Sequence, residues 1–222
     1  MKVLVVANQD ANLRNLLDRA RDLGENFSLL YILDTEVLES LKGYSHHILP
    51  AHMVIELEKS IVDMQKREVE ALLKNYGDLC SEFIFEVGKT KEIAEKTAIK
   101  IFPDLMICDS NIAKKIYTKI YAPIWIADKG KISKICCYVD SIVKIKRTAK
   151  YINFAKKISE KIGADLIVVY GKYDEEGVKT LRNMHEKVVK NIDTKVCELK
   201  MFDRETSPPT RVLKQKGNII LF

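Results

Sequence analysis

The chain has 222 residues, of which 47% are hydrophobic and 31% are charged. That length accommodates one large domain or two small ones, and the composition excludes a disordered or low-complexity chain. No apolar run reaches the roughly 18 to 20 residues that a membrane-spanning helix needs. The apolar stretch at the amino terminus is too short for a signal peptide, so we expect a cytoplasmic protein without a membrane partner.

The formal net charge is +6, which raises the question of an anionic partner. Basic surfaces attract nucleic acid and acidic membranes. Here the lysines alternate with glutamates along almost every predicted helix, which is typical of solvated helix faces. We therefore expect no nucleic acid partner. The five cysteines are interpreted as small core residues or inert thiols, because their spacing gives no metal or disulfide pattern.

The predicted elements alternate between strands and helices along the chain. Apolar runs predict strands at Val3 to Ala7, Phe27 to Leu33, Glu82 to Val87, Asp104 to Cys108 and Pro123 to Ala127. Helical spacing of apolar residues predicts helices at Leu13 to Leu23, Met53 to Asn75, Lys91 to Ile101 and Ile112 to Ile120. This order predicts an α/β fold with a mostly parallel sheet, right-handed crossovers and helices on both faces.

The pattern begins again after a polar linker at Asp128 to Ser133. Lys134 to Asp140, KICCYVD, repeats the form of Lys2 to Asn8, KVLVVAN. The matching elements downstream are a helix at 146–162, a strand at 165–170, a helix at 175–191, and strands at 195–201 and 218–222. We therefore predict two tandem Rossmann-like units, residues 1–129 and residues 130–222, of which the second is truncated after its fourth strand.

Several stretches share the sequence features of one family. KVLVVAN is similar to a KILVAVD opening strand, SLLYILD to an LLHVVD second strand, and EVGKTKEIAEKTAIKIFPDLMI to the pattern VxxGxxxxxIxxxAxxxxxDLIV. The matched positions in the last stretch are Val87, Gly88, Ile93, Ala94, Asp104 and Leu105, and a fifth-strand APV is matched by Ala122, Pro123 and Ile124. On these stretches the chain resembles the universal stress proteins. The resemblance implies an α/β fold of the adenine nucleotide alpha hydrolase-like type.

A ligand crevice in such a sheet lies beyond the carboxyl ends of the strands, at the loops after strands one and four. The resemblance implies that an acidic residue after strand one faces a nucleoside and that a glycine-rich loop after strand four binds phosphates. Asn8 replaces the acid in the first unit, and Asp140 holds that position in the second. If ATP, AMP or another anion binds, the candidate residues are Asn8, Asp10, Asp140, Ser110, Asn111, Lys114 and Lys115.

The segment after strand four, residues 108–121, contains no glycine. Glycines are needed in a phosphate loop because backbone amides must approach the phosphate closely. Asp109 adds negative charge at this place, and Ile112 adds a branched side chain. Lys114 and Lys115 attract anions as flexible point charges but do not form an amide cradle. We therefore predict a degenerate nucleotide site and no cofactor, and an altered or weak ATP site stays open as the alternative.

A histidine cluster and a serine at a strand end are the candidates for metal binding and catalysis. His46, His47 and His52 could hold zinc, but Pro50 interrupts them and no further ligand follows at helical spacing, so we interpret the segment as a loop. Ser110 lies near a strand end, but no GxSxG motif surrounds it and no histidine falls in a corresponding loop. We expect no metal site and no enzyme.

The predicted fifth strand, PIWIA, indicates association. Universal stress proteins commonly pair through this strand, and the predicted second unit has no counterpart to cover its edge. We therefore expect a homodimer through Pro123, Ile124, Trp125 and Ile126, and a further protein partner is possible. The alternative interpretation, in which Trp125 is an ordinary core residue, stays open. The predicted function is a non-catalytic stress-response or regulatory role through protein association. The alternative is a switch module that binds an adenine nucleotide.

Overall fold

A computed structural model of the chain describes residues 1–36, 38–40, 50–116, 122–127, 134–139, 145–170, 183, 193–196 and 218–221. In these ranges the strands are β1 Val3–Asn8, β2 Phe27–Leu33, β3 Cys80–Val87, β4 Leu105–Cys108, β5 Ile124–Ile126, β6 Lys134–Val139, β7 Asp165–Tyr170, β8 Asp193–Val196 and β9 Asn218–Leu221. The helices are α1 Leu13–Asp22, α2 Ala51–Leu73, α3 Thr90–Ile101, α4 Ser110–Ile116 and α5 Ile145–Ile162, and a 3₁₀ turn at Lys74–Leu79 follows α2.

The described strands form one nine-stranded sheet in the order β3-β2-β1-β4-β5-β9-β6-β7-β8. Every pair is parallel except β5 with β9. The predicted α/β class with a mostly parallel sheet is therefore confirmed. The strands β8-β7-β6-β9 lie beside one another in the same relative order as β3-β2-β1-β4, so that β6 corresponds to β1 and β9 to β4. The division into tandem units at residue 129 and the truncation of the second stay predictions.

One prediction about β5 is wrong. Its edge was expected to be unpaired, but β9 lies beside it, with Ile124 opposite Leu221 and Ile126 opposite Ile219. β9 also pairs with β6 on its other side, so β5 is an interior strand of the sheet. The backbone groups of β5 are therefore paired within the chain, and an unpaired β5 edge is not available for a homodimer. Homodimerisation itself stays a prediction.

Apolar layers cover both faces of the sheet around β1. All six residues of β1 are buried, as expected for a parallel strand with helices on both sides. One face packs on α1 through Leu16, Leu17 and Ala20, and the other packs on α3 and α4. Trp125 is fully buried in the first of these layers, which agrees with the core-packing interpretation of this residue. No helix among the described residues is long and apolar enough to span a bilayer.

Gly88 explains one element of the resemblance in physical terms. It follows β3 with a φ of +153°, a backbone conformation that residues with a Cβ rarely adopt. A Cβ at this position would also lie 2.8 Å from Cδ1 of Ile93. A side chain at position 88 would therefore force Ile93 to shift, in addition to the strain in φ.

Candidate functional site

The candidate site lies at the carboxyl ends of β1, β2 and β4, where the strand order reverses direction between β1 and β4. This is the place at which parallel α/β sheets bind their ligands. A polar residue stands at or directly after the end of each of these strands: Asn8, Asp34 and Asp109. These three residues and the side chains that contact them form what we call the crevice.

The loop after β1 closes on itself through Asn8. This residue is buried, and its Oδ1 accepts a hydrogen bond from the backbone N–H of Asp10 at 3.2 Å. Its carbonyl oxygen accepts a second one from the N–H of Ala11 at 3.1 Å. The Asp10 side chain itself is exposed. The predicted candidates Asn8 and Asp10 therefore lie together in one turn, in which Asn8 has a structural contact and Asp10 faces solvent.

Asp34 is the most constrained polar residue of the crevice, and the sequence analysis did not single it out. It is only 5% exposed, and its Oδ2 accepts a hydrogen bond from Oγ1 of Thr90 at 2.6 Å. The N–H groups of Thr90 and Glu36 point at the same carboxylate, at 3.4 Å and 3.2 Å. The backbone N–H of Asp34 donates to Oε1 of Gln9 at 3.0 Å. Asp34 thus joins the loop after β1, the end of β2 and the first turn of α3.

Lys115 reaches Asp34 from α4. Its Nζ lies 3.8 Å from Oδ2 of Asp34, and its side chain is 47% exposed. Burial opposes ionisation of Asp34, but the hydrogen bonds from Thr90 and Glu36 and the charge of Lys115 outweigh burial and lower the pKa of this carboxyl. Asp34 is therefore ionised at neutral pH. The ammonium that was predicted to attract an external anion already faces an internal carboxylate.

The segment after β4 folds as the short helix α4 and closes its own amino end. Oδ1 of Asp109 accepts a hydrogen bond from the N–H of Ile112 at 2.8 Å, and its carbonyl oxygen accepts one from the N–H of Ala113 at 3.0 Å. Ile112, Ala113 and Ile116 are buried against the sheet. An amide that a phosphate loop would present to its ligand is thus occupied by a carboxylate of the same chain.

The remaining predicted candidates that the structure describes have no contact with Asp34 among the hydrogen bonds and ion pairs of the described residues. Ser110 is half-buried at the start of α4, and Asn111 and Lys114 are exposed on the same helix. His52 is exposed at the start of α2. Asp140, His46 and His47 lie outside the described residues. In the described part of the chain, no group of three or more His, Cys, Asp or Glu residues is placed to hold a metal ion.

A signal for Asp34 was present in the sequence. The second apolar run ends in an acidic residue, just as Asn8 ends the first run and Asp109 follows the fourth. The carboxyl ends of neighbouring parallel strands meet at one edge of the sheet, so this pattern is a sign that the three residues lie close together. No such pattern marks Thr90, which contacts Asp34 across 56 positions of the chain.

The strand order agrees with the universal stress protein type of α/β fold that the resemblance implied. The chain is similar to a universal stress protein from Archaeoglobus fulgidus DSM 4304, with a TM-score of 0.56 and 14% identity over 87% of this chain and 75% of that one. It is also similar to a functionally unknown protein, PA1789, from Pseudomonas aeruginosa PAO1, with a TM-score of 0.53 and 13% identity over 100% of this chain and 92% of that one. No family model and no curated protein matches the sequence. At these identities the likeness shows the fold alone.

Proposed function

We propose that the chain is a non-catalytic stress-response or regulatory protein of the universal stress protein type, which acts in the cytoplasm through association with protein partners. In this proposal its nucleotide site is degenerate. The observation that carries the proposal is the closed amino end of α4, where Asp109 holds the N–H of Ile112 at 2.8 Å.

Binding of a nucleotide phosphate at this place would disrupt existing contacts. The phosphate would have to displace the Asp109 carboxylate from the N–H of Ile112, and it would then lie beside that negative charge. A hydrogen bond that involves a charged group contributes about 1.5–3 kcal/mol, which corresponds to a roughly ten- to hundredfold loss of phosphate affinity. Repulsion between phosphate and carboxylate in a partly buried crevice adds to this loss.

The titratable groups of the crevice also support a non-catalytic role. A general base has to have a pKa near the operating pH, whereas the pKa of Asp34 lies below its ordinary value. The hydroxyl of Thr90 donates to Asp34 in the buried first turn of α3 and is not presented to a substrate. Asp109 is engaged with the amino end of α4. Each of these groups already has a structural contact, which supports the proposed non-catalytic role.

Isothermal titration calorimetry with ATP and AMP, with and without Mg²⁺, tests the proposal. We expect no saturable binding in the micromolar range and no release of phosphate from ATP on prolonged incubation. Saturable micromolar binding of either nucleotide would overturn the degenerate site. Phosphate release above that of a heat-treated control would overturn the non-catalytic role.

A second candidate function is a switch that binds an adenine nucleotide, and Lys115 favours it. Its Nζ lies 3.8 Å from the Asp34 carboxylate, beyond direct hydrogen-bond distance, and its side chain is half exposed. A phosphate could therefore compete for this ammonium. The variant Asp34→Asn separates the two functions, because it removes the competing charge without removing Lys115. The switch predicts that this variant binds ATP more tightly than the wild type, whereas the leading function predicts that neither binds.

A further inference from the structure

Among the residues that the structure describes, no strand lies beside the outer edge of β3. This strand pairs with β2 on one side and stands at the end of the strand order in the described part of the sheet. It has 8 residues, which is longer than the typical strand of about 5–6. An open strand edge presents unpaired N–H and C=O groups to which another extended segment can add.

The direction of the open backbone groups follows from one hydrogen bond. The N–H of Gly88 donates to the carbonyl of Leu33 at 3.0 Å, so the backbone groups of residue 88 face β2. These groups alternate in direction along a strand. The N–H and C=O groups of Phe83, Phe85 and Val87 therefore point away from β2 and line the open edge.

The two faces of β3 differ in chemistry. Phe83 and Phe85 lie on one face, where Phe85 stacks on Tyr31 with ring centres 5.6 Å apart and Phe83 meets Phe85 edge to face at 6.3 Å. Glu82 and Glu86 lie on the other face. Both glutamates are exposed, and neither forms an ion pair with a residue that the structure describes. The aromatic contacts anchor the strand, and the carboxylates leave two free negative charges beside its edge.

This charge pattern disfavours a second copy of the chain as the occupant in the register that is centred on Ile84. In an antiparallel pairing of two β3 strands centred on Ile84, Glu82 of each copy would lie opposite Glu86 of the other. Like charges directly opposite each other destabilise a strand pair, and charged residues on an edge are a common protection against self-pairing. Opposite charges at the same positions stabilise the pair. The edge therefore selects a strand with basic residues at two positions four residues apart.

We propose that the β3 edge is a docking site for an extended segment of a protein partner, which adds one strand to the sheet. The segment carries Lys or Arg opposite Glu82 and Glu86 and an apolar residue between them, opposite Ile84. Backbone hydrogen bonds to Phe83, Phe85 and Val87 hold it in place, and the two ion pairs fix its register. This proposal rests on the proposed function and names the chemistry of the partner.

A disulfide-closed β-hairpin peptide tests the proposal, because closure removes most of the entropic cost of ordering the added strand. One version carries Lys at the two positions that face Glu82 and Glu86, and a second version carries Glu there. Fluorescence anisotropy measures their binding, and hydrogen exchange locates it. We expect the Lys hairpin to bind and to protect the amides of Phe83, Phe85 and Val87. The Glu hairpin should bind about tenfold more weakly, since two cross-strand pairs change sign.

Charge reversal on the protein gives the decisive comparison. The double variant Glu82→Lys/Glu86→Lys should prefer the Glu hairpin over the Lys hairpin. The control Glu56→Lys/Glu70→Lys makes the same change of net charge on exposed positions of α2 and should keep the wild-type preference. The proposal is overturned if the Lys hairpin does not bind, if both hairpins bind equally, or if protection appears elsewhere.

Two further outcomes separate this proposal from the proposed function. If the wild type forms a dimer that the double variant abolishes, the occupant of the edge is a second copy and the proposal fails. If neither hairpin binds and the chain also fails to bind ATP, only the docking surface is lost. Saturable ATP binding would overturn the proposed function whatever the hairpins do.

Discussion

Substitution of Asp34 tests whether this residue holds the crevice together. In Asp34→Ala the hydroxyl of Thr90, which donates to Asp34 at 2.6 Å, loses its acceptor in a buried position. An unsatisfied buried polar group costs about 1–3 kcal/mol, and the lost bond to a charged acceptor is of similar size. Loss of the ion pair with the half-exposed Lys115 should add little to the loss of stability, because solvent screens this pair. The variant should therefore lose about 2–4 kcal/mol of the free energy of unfolding.

Asp34→Asn isolates the charge, because asparagine keeps one acceptor oxygen. The pKa of Asp34 is lowered in the folded chain. Its ionised form therefore stabilises the fold above the unfolded-state pKa of about 3.9, and this contribution is lost as the pH falls through the folded-state pKa. We expect Asp34→Asn to be destabilised by about 1–2 kcal/mol at neutral pH. The difference from the wild type should shrink as the pH falls through the lowered folded-state pKa of Asp34.

Urea unfolding followed by circular dichroism measures both effects across this pH range. Asp10→Asn is the matched control, because Asp10 is exposed and its carboxylate receives, among the described residues, a single 3.4 Å contact from Gln9. This control should change the free energy of unfolding by less than about 0.5 kcal/mol. The reasoning fails if Asp34→Asn and Asp10→Asn behave alike, or if the deficit of Asp34→Asn is the same at neutral and acid pH.

Three further predictions concern the packing around the crevice, and each is measured by chemical unfolding. Nε1 of Trp125 is buried with no hydrogen-bond partner in the described part of the chain. Trp125→Phe should therefore leave the free energy of unfolding nearly unchanged, whereas Trp125→Ala should lower it by about 3–5 kcal/mol. A large loss of stability in Trp125→Phe would contradict this. Gly88→Ala should cost about 1–3 kcal/mol, and Gly88→Ala/Ile93→Val should recover only the part due to the 2.8 Å contact, because the strain in φ remains. Asn12→Ala should lower the free energy of unfolding by about 1 kcal/mol, since the Asn12 side chain caps α1. Asn12→Asp should keep most of this stability, because Asp is also a good capping residue. Equal losses in both variants would exclude capping as the cause.

The elements of the chain were predictable to a large extent because their signals are local. β1 was predicted at Val3 to Ala7 and spans Val3–Asn8, and α3 was predicted at Lys91 to Ile101 and spans Thr90–Ile101. β3 begins two residues earlier than predicted, at Cys80. Continuous apolar runs and helical spacing predict such elements well, because burial imposes the same pattern on each of them. Their ends depend on capping contacts that the pattern does not contain.

The candidate site was predictable only where its contacts are local. Asn8 and Asp10 were placed in one loop because they are two residues apart. Asp109 was predicted to bring negative charge to the place where a phosphate would bind. Its hydrogen bond to Ile112, which closes the amino end of α4, was not predicted. The contact of Asp34 with Thr90 joins residues 56 positions apart and depends on how α3 is seated on the sheet. No local pattern encodes that distance.

The sequence by itself determined that the chain alternates strands with helices, and that the loop after β4 has no glycine with which to hold a phosphate. The spacing of apolar residues predicts the strands and helices because burial requires that spacing. The missing glycines matter because other residues rarely adopt the backbone conformations of a phosphate loop. Only the tertiary structure decided which strand lies beside β5. An apolar strand edge accepts any strand that reaches it, and the packing of the whole chain brings β9 there in antiparallel orientation. The same topology leaves β3 at the end of the described sheet with its two exposed glutamates.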